Sequence, residues 1–512
     1  MDGPLIQTKQ FGNIGQLAPG HIQTVDVAIH TIRRTTGNVG VTITLRNAND
    51  QLVAASVRTT LKIGLPDYTE DERALRFHEA PTWMQQAKFG IFIHWGVYAV
   101  PSWAPVGQAY AEWYWWQMNM GKATREYHEN AFGTKFEYDD FLQLWKPTEF
   151  DANRLLELID VSRARYYVFT TKHHDGIALW DTKVTSRSTV QLAPHRDFVK
   201  ELDTVSKTAF PHLKRGLYYS LPEWYHPSYF DPSLGWRGPP RNAYTGERVP
   251  YTGSRPISDY VNELQVPQIL ELIDTFQPDI LWCDIGGINN STAWQGKFFD
   301  DGQQRDQQVS LNDRCGNHIS DFSTIEYRAV NIPPPRFWEA TRGIDPYSFG
   351  YNHATRPDQY ASTTSLIVEL VNVVTKGGNF LLNIGPDASG KVPDVMANCL
   401  REIGQWLDKV NPAIFNSEPY WVTTEDTLEP GQPLRFSQRR DGRAFYVFSL
   451  QRPIHRMVVK TVIPLRQQSV IRMMGSAIEL RWEVHNNGRL IIVIPSGITN
   501  TLEHVWVFEV LL

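Results

Sequence analysis

The residues best placed to do chemistry in this chain are Asp284, three histidines and one arginine, each standing at the end of a short apolar run. Asp284 closes the stretch Pro278-Asp279-Ile280-Leu281-Trp282-Cys283-Asp284 and is followed by Ile285-Gly286-Gly287. A Pro-Asp, an apolar run and two glycines predict a buried parallel strand that delivers a carboxylate to a tight loop. His94 ends the run Phe89–Ile93, His173 and His174 follow Tyr166–Thr171, and Arg314 follows Val309–Asn312. Together these groups offer a nucleophile or base, neutral hydrogen-bonding rings and a fixed cation. An Asp ahead of Gly also caps loops, so Asp284 alone does not establish catalysis.

Such a set must be held by elements that bring strand ends together. From about residue 73 the sequence alternates strand-like and helix-like patterns, with further strand-like runs at Gly216–Ser220, Arg336–Glu339 and Asn379–Ile384. Helical spacing covers residues 259–276, 359–376 and 393–409, the last stopping before Asn411-Pro412. This alternation predicts a (β/α)8-like TIM barrel, in which the C-terminal ends of the strands gather into one ring. A doubly wound sheet would concentrate polar residues at a single switch point, and no GxGxxG or GxxxxGK[ST] occurs. Residues 1–72 read as a small N-terminal β module with strands at 24–29, 39–45 and 52–57 and a turn at Thr36-Gly37-Asn38. Residues 73–412 read as the barrel and 413–512 as a C-terminal antiparallel β-sandwich, with turns at Arg440-Asp441-Gly442 and Asn486-Asn487-Gly488.

Composition narrows the class. The 512 residues carry a formal net charge of -5 and no Lys/Arg-rich run, so a nucleic-acid footprint is absent. No apolar run is long enough for a membrane span. The opening MDGPLIQTKQ has no leader pattern, which implies an intracellular protein or a secreted one whose leader has been removed. Three cysteines make neither a disulfide framework nor a zinc pattern, and Cys283 is expected to serve packing. The 17 Trp, 21 Tyr and 24 Phe are abundant, and sugar-binding clefts use such faces against pyranose C–H surfaces.

Taken together, these strand ends resemble glycoside hydrolase family 29, the retaining α-L-fucosidases. The matching pieces are Lys88–Gly96, Glu112-Trp113-Tyr114, Lys172–Gly176, Trp282–Asp284, Asn312-Asp313-Arg314, Gly377-Gly378-Asn379 and Leu382–Pro386. The resemblance implies that Asp284 is the nucleophile of a fucosyl-enzyme intermediate, and that the partner is a fucosylated oligosaccharide or glycoconjugate. It further implies that His94, Glu112, Trp113, His173, His174, Tyr219 and Arg314 contact the sugar. Trp282 and Phe349 would form the wall that receives its C6 methyl.

The second carboxyl has two candidates. Ser323-Thr324-Ile325-Glu326-Tyr327 resembles a Thr-Pro-Glu pattern of some family members, with Ile325 in place of proline, and makes Glu326 the expected acid/base. Glu339, after the run Arg336–Trp338, is the alternative. A non-catalytic fucose-binding barrel and a metal-assisted hydrolase are the competing classes. Adjacent His173 and His174 would point to opposite faces of one strand and chelate poorly, and no HxH or HExxH accompanies them. No metal and no cofactor are therefore expected.

Overall fold

The computed structural model describes residues 6–10, 12, 14, 25, 27–31, 37–47, 49–64, 67–426, 433–463, 465–485 and 488–512. Eight central strands pair side by side in parallel: β1 (Phe89–Ile93), β2 (Tyr166–Lys172), β3 (Lys214–Ser220), β4 (Ile280–Asp284), β5 (Ser310–Leu311), β6 (Ser323–Glu326), β7 (Trp338–Gly343) and β8 (Asn379–Ile384). Their spatial order is β5-β4-β3-β2-β1-β8-β7-β6, and a parallel bridge between Asn312 and Phe322 joins the two ends into a ring. This is the expected barrel. Its sixth strand has no strand pattern in the sequence, because Ser323–Glu326 is polar in part and half-buried along its whole length.

Side chains alternate across this ring with a period of two. Phe92, Val168, Tyr218, Ile280, Trp282 and Leu381 fill the interior. Their neighbours Ile91, Phe169, Leu217, Tyr219, Leu281 and Cys283 face outward into the larger core under the helices. Those helices are α1 (Ala152–Val161), α2 (Phe198–Ala209), α3 (Val266–Phe276), α4 (Thr292–Gln304), α5 (Thr363–Thr375) and α6 (Asp394–Phe415). Asp151, Asp197 and Ser362 cap α1, α2 and α5 by accepting from backbone amides of the first turn. No helix follows β5 or β6; residues 312–322 and 327–337 connect those strands instead.

Two boundaries differ from the sequence reading. Helix α6 runs through Pro412 to Phe415, because a proline in the last turn removes one hydrogen bond where the ladder is already ending. In the N-terminal module, Gly37–Ile43 pairs antiparallel with Val57–Ile63, and Ile6–Gln10 pairs with Ala28–Thr31. Gly37 and Asn38 thus lie within a strand. The turn is built later, where Asn47 Oδ1 accepts from the amides of Asn49 (3.0 Å) and Gln51 (2.9 Å). Residues 51–56 accordingly stay exposed outside any strand. Thr24 and Asp26 of the expected first strand, Thr36 of the expected turn, and Asn486 and Asn487 of a later one lie outside the described residues.

The C-terminal part holds an antiparallel sheet that includes Leu434–Arg439, Ala444–Ser449, Val470–Met473 and Trp506–Leu511, and a second sheet of Arg456–Val459, Leu490–Val493 and Trp482–Val484. Arg435 reaches back to Asn372 on α5 (2.6 Å), and Trp406 on α6 donates to the Val505 carbonyl (2.9 Å).

The first and last barrel helices meet at Gly404, where an added Cβ would lie 1.9 Å from the backbone oxygen of Val161. Gly→Ala inside a helix normally stabilises by about 0.5–1 kcal/mol. Here the sign reverses: Gly404→Ala is expected to destabilise by about 1–3 kcal/mol, read from denaturant unfolding, because two helix backbones must separate. A stabilised variant would show that α1 and α6 do not pack this closely.

Candidate active site

At the C-terminal mouth of the barrel a pocket of about 140 Å³ is lined by His94, Glu112, Trp113, His173, His174, Trp282, Asp284, Arg314, Glu326 and Phe349. Ten of the twelve residues singled out from the sequence thus surround one small cavity. They arrive from several elements: His94 just beyond β1, the paired histidines beyond β2, Asp284 and Glu326 at the last residues of β4 and β6.

Asp284 accepts three hydrogen bonds. Tyr218 Oη donates to Oδ2 (2.8 Å), while Arg314 Nη1 (3.0 Å) and the Ile285 amide (2.9 Å) donate to Oδ1. The same Nη1 also donates to Glu326 Oε2 (3.0 Å). Ile285, a β-branched residue, is forced to φ 69° and is followed by Gly286 and Gly287 at φ 74° and 76°. Left-handed isoleucine is strained, so this turn is set by its surroundings, which is common beside reacting groups. Cys283 and Cys315 form a disulfide, a correction to the sequence reading. It ties the residue before Asp284 to the residue after Arg314.

The histidines are uncharged hydrogen-bonding groups. Burial pushes His94 down to about 4, against the partial support of Asn383 and Asp284. Its Nδ1 meets Asn383 Oδ1 (2.7 Å), which leaves Nε2 free toward the pocket. Burial also drives His173 and His174 well below the ordinary imidazole value. His174 Nδ1 lies 2.5 Å from Ser220 Oγ, whose own proton goes to the Pro222 carbonyl, so Nε2 of His174 keeps its lone pair and stands 3.8 Å from Asp284 Oδ2. His173 Nδ1 and Thr341 Oγ1, on two residues that line the pocket, are buried with no hydrogen-bond partner among the described residues. Both rings of the His173-His174 pair enter the pocket because β2 carries a bulge between Thr170 and Lys172 and then ends. Among the described residues no group of three or more His, Cys, Asp or Glu is arranged to hold a metal ion.

The carboxyls differ in setting. Burial raises Glu112 to about 7, opposed by donation from the Gly350 amide (2.8 Å) and Ser348 Oγ (3.1 Å). Burial raises Glu326 as well; Arg314 opposes that and the charge of Asp284 reinforces it. Phe349 lies against His94 and Tyr327, and Trp282 against Phe92, with the Arg314 guanidinium 4.9 Å above the Trp282 ring.

Two of the candidates stand outside the pocket, Tyr219 by parity and Glu339 by depth. Tyr219 faces the helices, where its hydroxyl donates to Gln268 (2.8 Å) and Lys172 Nζ sits 4.2 Å from its ring. Tyr218, in register with Trp282, is the tyrosine in the pocket. Adjacent tyrosines hide this choice unless the alternation is carried across from β4. Glu339 shares the interior face of β7 with Thr341 but sits one layer below the pocket, fully buried. It accepts from Tyr166 Oη (2.5 Å) and Trp282 Nε1 (2.9 Å), so it fixes the indole instead of reaching the cavity. Tyr110, Thr341 and Ile285 also line the pocket, and no sequence signal singles them out.

The profile of the alpha-L-fucosidase family matches residues 56–412. An alpha-L-fucosidase of Dictyostelium discoideum is 35% identical over 371 residues, spanning 68% of this chain and 76% of that protein. The crystal structure of Thermotoga maritima alpha-fucosidase in complex with a mechanism based inhibitor matches with a TM-score of 0.74 at 31% identity, covering 87% of this chain and 100% of that one. The same Thermotoga protein in complex with fucose gives a TM-score of 0.73 over 87% of this chain.

Burial raises Glu339 from 4.5 to about 7, opposed by its two hydrogen-bond donors. A carboxyl raised on folding stabilises the fold fully below its unfolded value and loses that contribution as pH climbs through the folded one. Stability should therefore decline from about pH 4.5 to about pH 7 on account of Glu339. Glu339→Gln should flatten that decline by an amount on the order of 2 kcal/mol, measured as unfolding free energy against pH. An unchanged slope would mean that the buried carboxyl is not held protonated.

Proposed function

The chain belongs to the alpha-L-fucosidase family, and from that premise we propose that it releases terminal α-L-fucosyl residues from glycans by double displacement, with Asp284 as nucleophile and Glu326 as acid and base. The observation that carries this reading is the shared guanidinium. Arg314 Nη1 lies 3.0 Å from one oxygen of each carboxyl, so those oxygens are no farther apart than twice that distance. Retaining glycosidases hold their carboxyls about 5–5.5 Å apart, whereas inverting ones need about 6.5–9.5 Å to admit a water.

In the first half-reaction an Asp284 oxygen attacks the anomeric carbon while Glu326 gives its proton to the glycosidic oxygen. The glycosidic bond breaks and a fucosyl ester of Asp284 forms. In the second, Glu326 takes a proton from a water whose oxygen attacks the same carbon, and the ester breaks to restore the carboxylate. Two inversions leave the configuration retained. Burial and the charge of Asp284 both hold Glu326 upward before reaction. Ester formation removes the Asp284 charge and leaves Arg314 unopposed, which lowers Glu326 when it must act as a base.

His94, His173, His174 and Glu112 offer acceptors and donors to sugar hydroxyls, and Trp113 adds an aromatic face. Trp282 and Phe349 supply the apolar wall for the C6 methyl, a contact worth about 1 kcal/mol. Phe349→Ala should therefore lower kcat/KM for an aryl α-L-fucoside about 5–10-fold more than for the matching galactoside. Equal losses on both would make this ring a packing residue only.

The two carboxyls separate by stereochemistry. Asp284→Gly should nearly abolish hydrolysis and, with added azide, give the β-fucosyl azide by direct attack. Glu326→Ala should slow poor leaving groups by roughly 10²–10⁴, spare activated aryl fucosides in the first step, and give the α-azide from the ester. Proton NMR of the anomeric centre reads both products. A Glu326→Ala enzyme with ordinary turnover of natural substrates would remove Glu326 from the acid role.

A further inference from the structure

A second and larger cavity, of about 1130 Å³, opens beside the catalytic pocket and shares Tyr110 and Trp113 with it. It lies on the side of Glu326: Tyr327, the next residue, forms part of its wall, as do Arg328 and residues of α5. Tyr327 is a fixed partition. It stands at φ 48°, its hydroxyl donates to the Asp345 carbonyl (3.1 Å) and accepts from the Gly343 amide (3.0 Å), and its ring lies beside that of Phe349. If Glu326 protonates the glycosidic oxygen, the remainder of the leaving group must extend past Glu326, and this groove is the space it meets.

The charges lining the groove are unbalanced. Arg328, Arg342, Lys376 and Arg435 face only Glu369 and Glu425. Arg342 is matched by Glu369 at 2.8 Å, but Lys376 and Arg435 share Glu425 at 3.8 and 3.6 Å. Arg328 is exposed and pairs with no carboxylate among the described residues. The whole chain carries -5, so this excess of cations runs against the overall sign of the protein. Like charges gathered along one concave wall raise the local concentration of oppositely charged ligands.

We propose that this groove seats the leaving oligosaccharide and selects one that carries an anionic substituent, a carboxylate or a sulfate, against Arg328 and the cations behind it. The assignment rests on Glu326 as the acid, and the azide products test that point separately. Three fucosyl oligosaccharides of one linkage and one core decide it: a neutral one, one bearing a single sulfate and one bearing a carboxylate. At low ionic strength kcat/KM for an acidic substrate should exceed that for the neutral one about 10-fold, and the advantage should collapse toward unity at about 0.5 M salt. Preference for only one of the two acidic substrates upholds the proposal and names the anion. Arg328→Ala should cut the acidic-to-neutral ratio about threefold, and Arg328→Glu should cut it further. Arg328 is a surface residue, so both variants should fold. Equal rates on all three substrates, or a ratio that neither salt nor Arg328 substitution moves, overturns the proposal while leaving the α-azide result for Glu326→Ala intact.

Discussion

Two carboxyl groups face the same small pocket at a spacing that their own charges oppose, and a single guanidinium nitrogen makes that spacing possible. Arg314 Nη1 donates to Asp284 and to Glu326 at 3.0 Å each. Taking an arginine largely out of water is costly, and here the two carboxyls repay it with charge-assisted bonds. The rest of the side chain is equally tied down. Arg314 Nε donates to Thr324 Oγ1 (2.8 Å), whose proton goes to Asp313 Oδ1 (2.7 Å), and the guanidinium stacks over Trp282. The disulfide between Cys283 and Cys315 joins the backbone next to Asp284 with the backbone next to Arg314. Strand, loop and ion pair are thereby one connected unit.

The other polar groups of the pocket are kept free of competing charge. Burial holds His94, His173 and His174 neutral. A glycosidic transition state gathers positive charge on the sugar ring, so three imidazolium groups nearby would oppose it. Neutral rings can still donate and accept hydrogen bonds with hydroxyls. Beneath the floor, Glu339, its carboxyl raised by burial to about 7, fixes Trp282 through a hydrogen bond.

How much of this is legible in the sequence depends on what each residue's position expresses. Strand ends that carry His94, His173, His174, Asp284 and Arg314 are readable, because an apolar run that stops at polar residues marks a buried strand meeting a loop. Tyr218 is hidden because Tyr219 adjoins it, and only the register with Trp282 on β4 decides which one faces inward. Strand β6 is hidden because its four residues lack an apolar face. The disulfide joins residues 32 apart with no local pattern to announce it. In the N-terminal module Gly37 resembles a turn residue, although glycine also occurs in exposed strands and the turn is made by Asn47. Arg435 comes from the C-terminal sheet, and nothing in its surroundings in the chain hints that it lines a groove beside the barrel.

The barrel is buttressed unevenly, and that unevenness separates two tasks. Helices back β1 to β4 and β7 to β8, and the residues that line the small pocket stand mainly on those strands: His94 after β1, His173 and His174 after β2, Tyr218 on β3, Trp282 and Asp284 on β4. Close packing on the outer face restrains their positions, as recognition of a hydroxyl pattern requires. On the other side β5 and β6 have no following helix, and the chain instead crosses by residues 312–322 and 327–337. Arg314 and Glu326 stand there, and the larger groove lined by Tyr327, residues of α5 and Arg435 lies beside them. Under the proposed assignment a leaving group departs on the side of Glu326, which stands on a strand that no outer helix follows. On that same assignment the fucosyl part of a substrate meets the helix-backed arc of the fold, and the variable leaving group meets its loops.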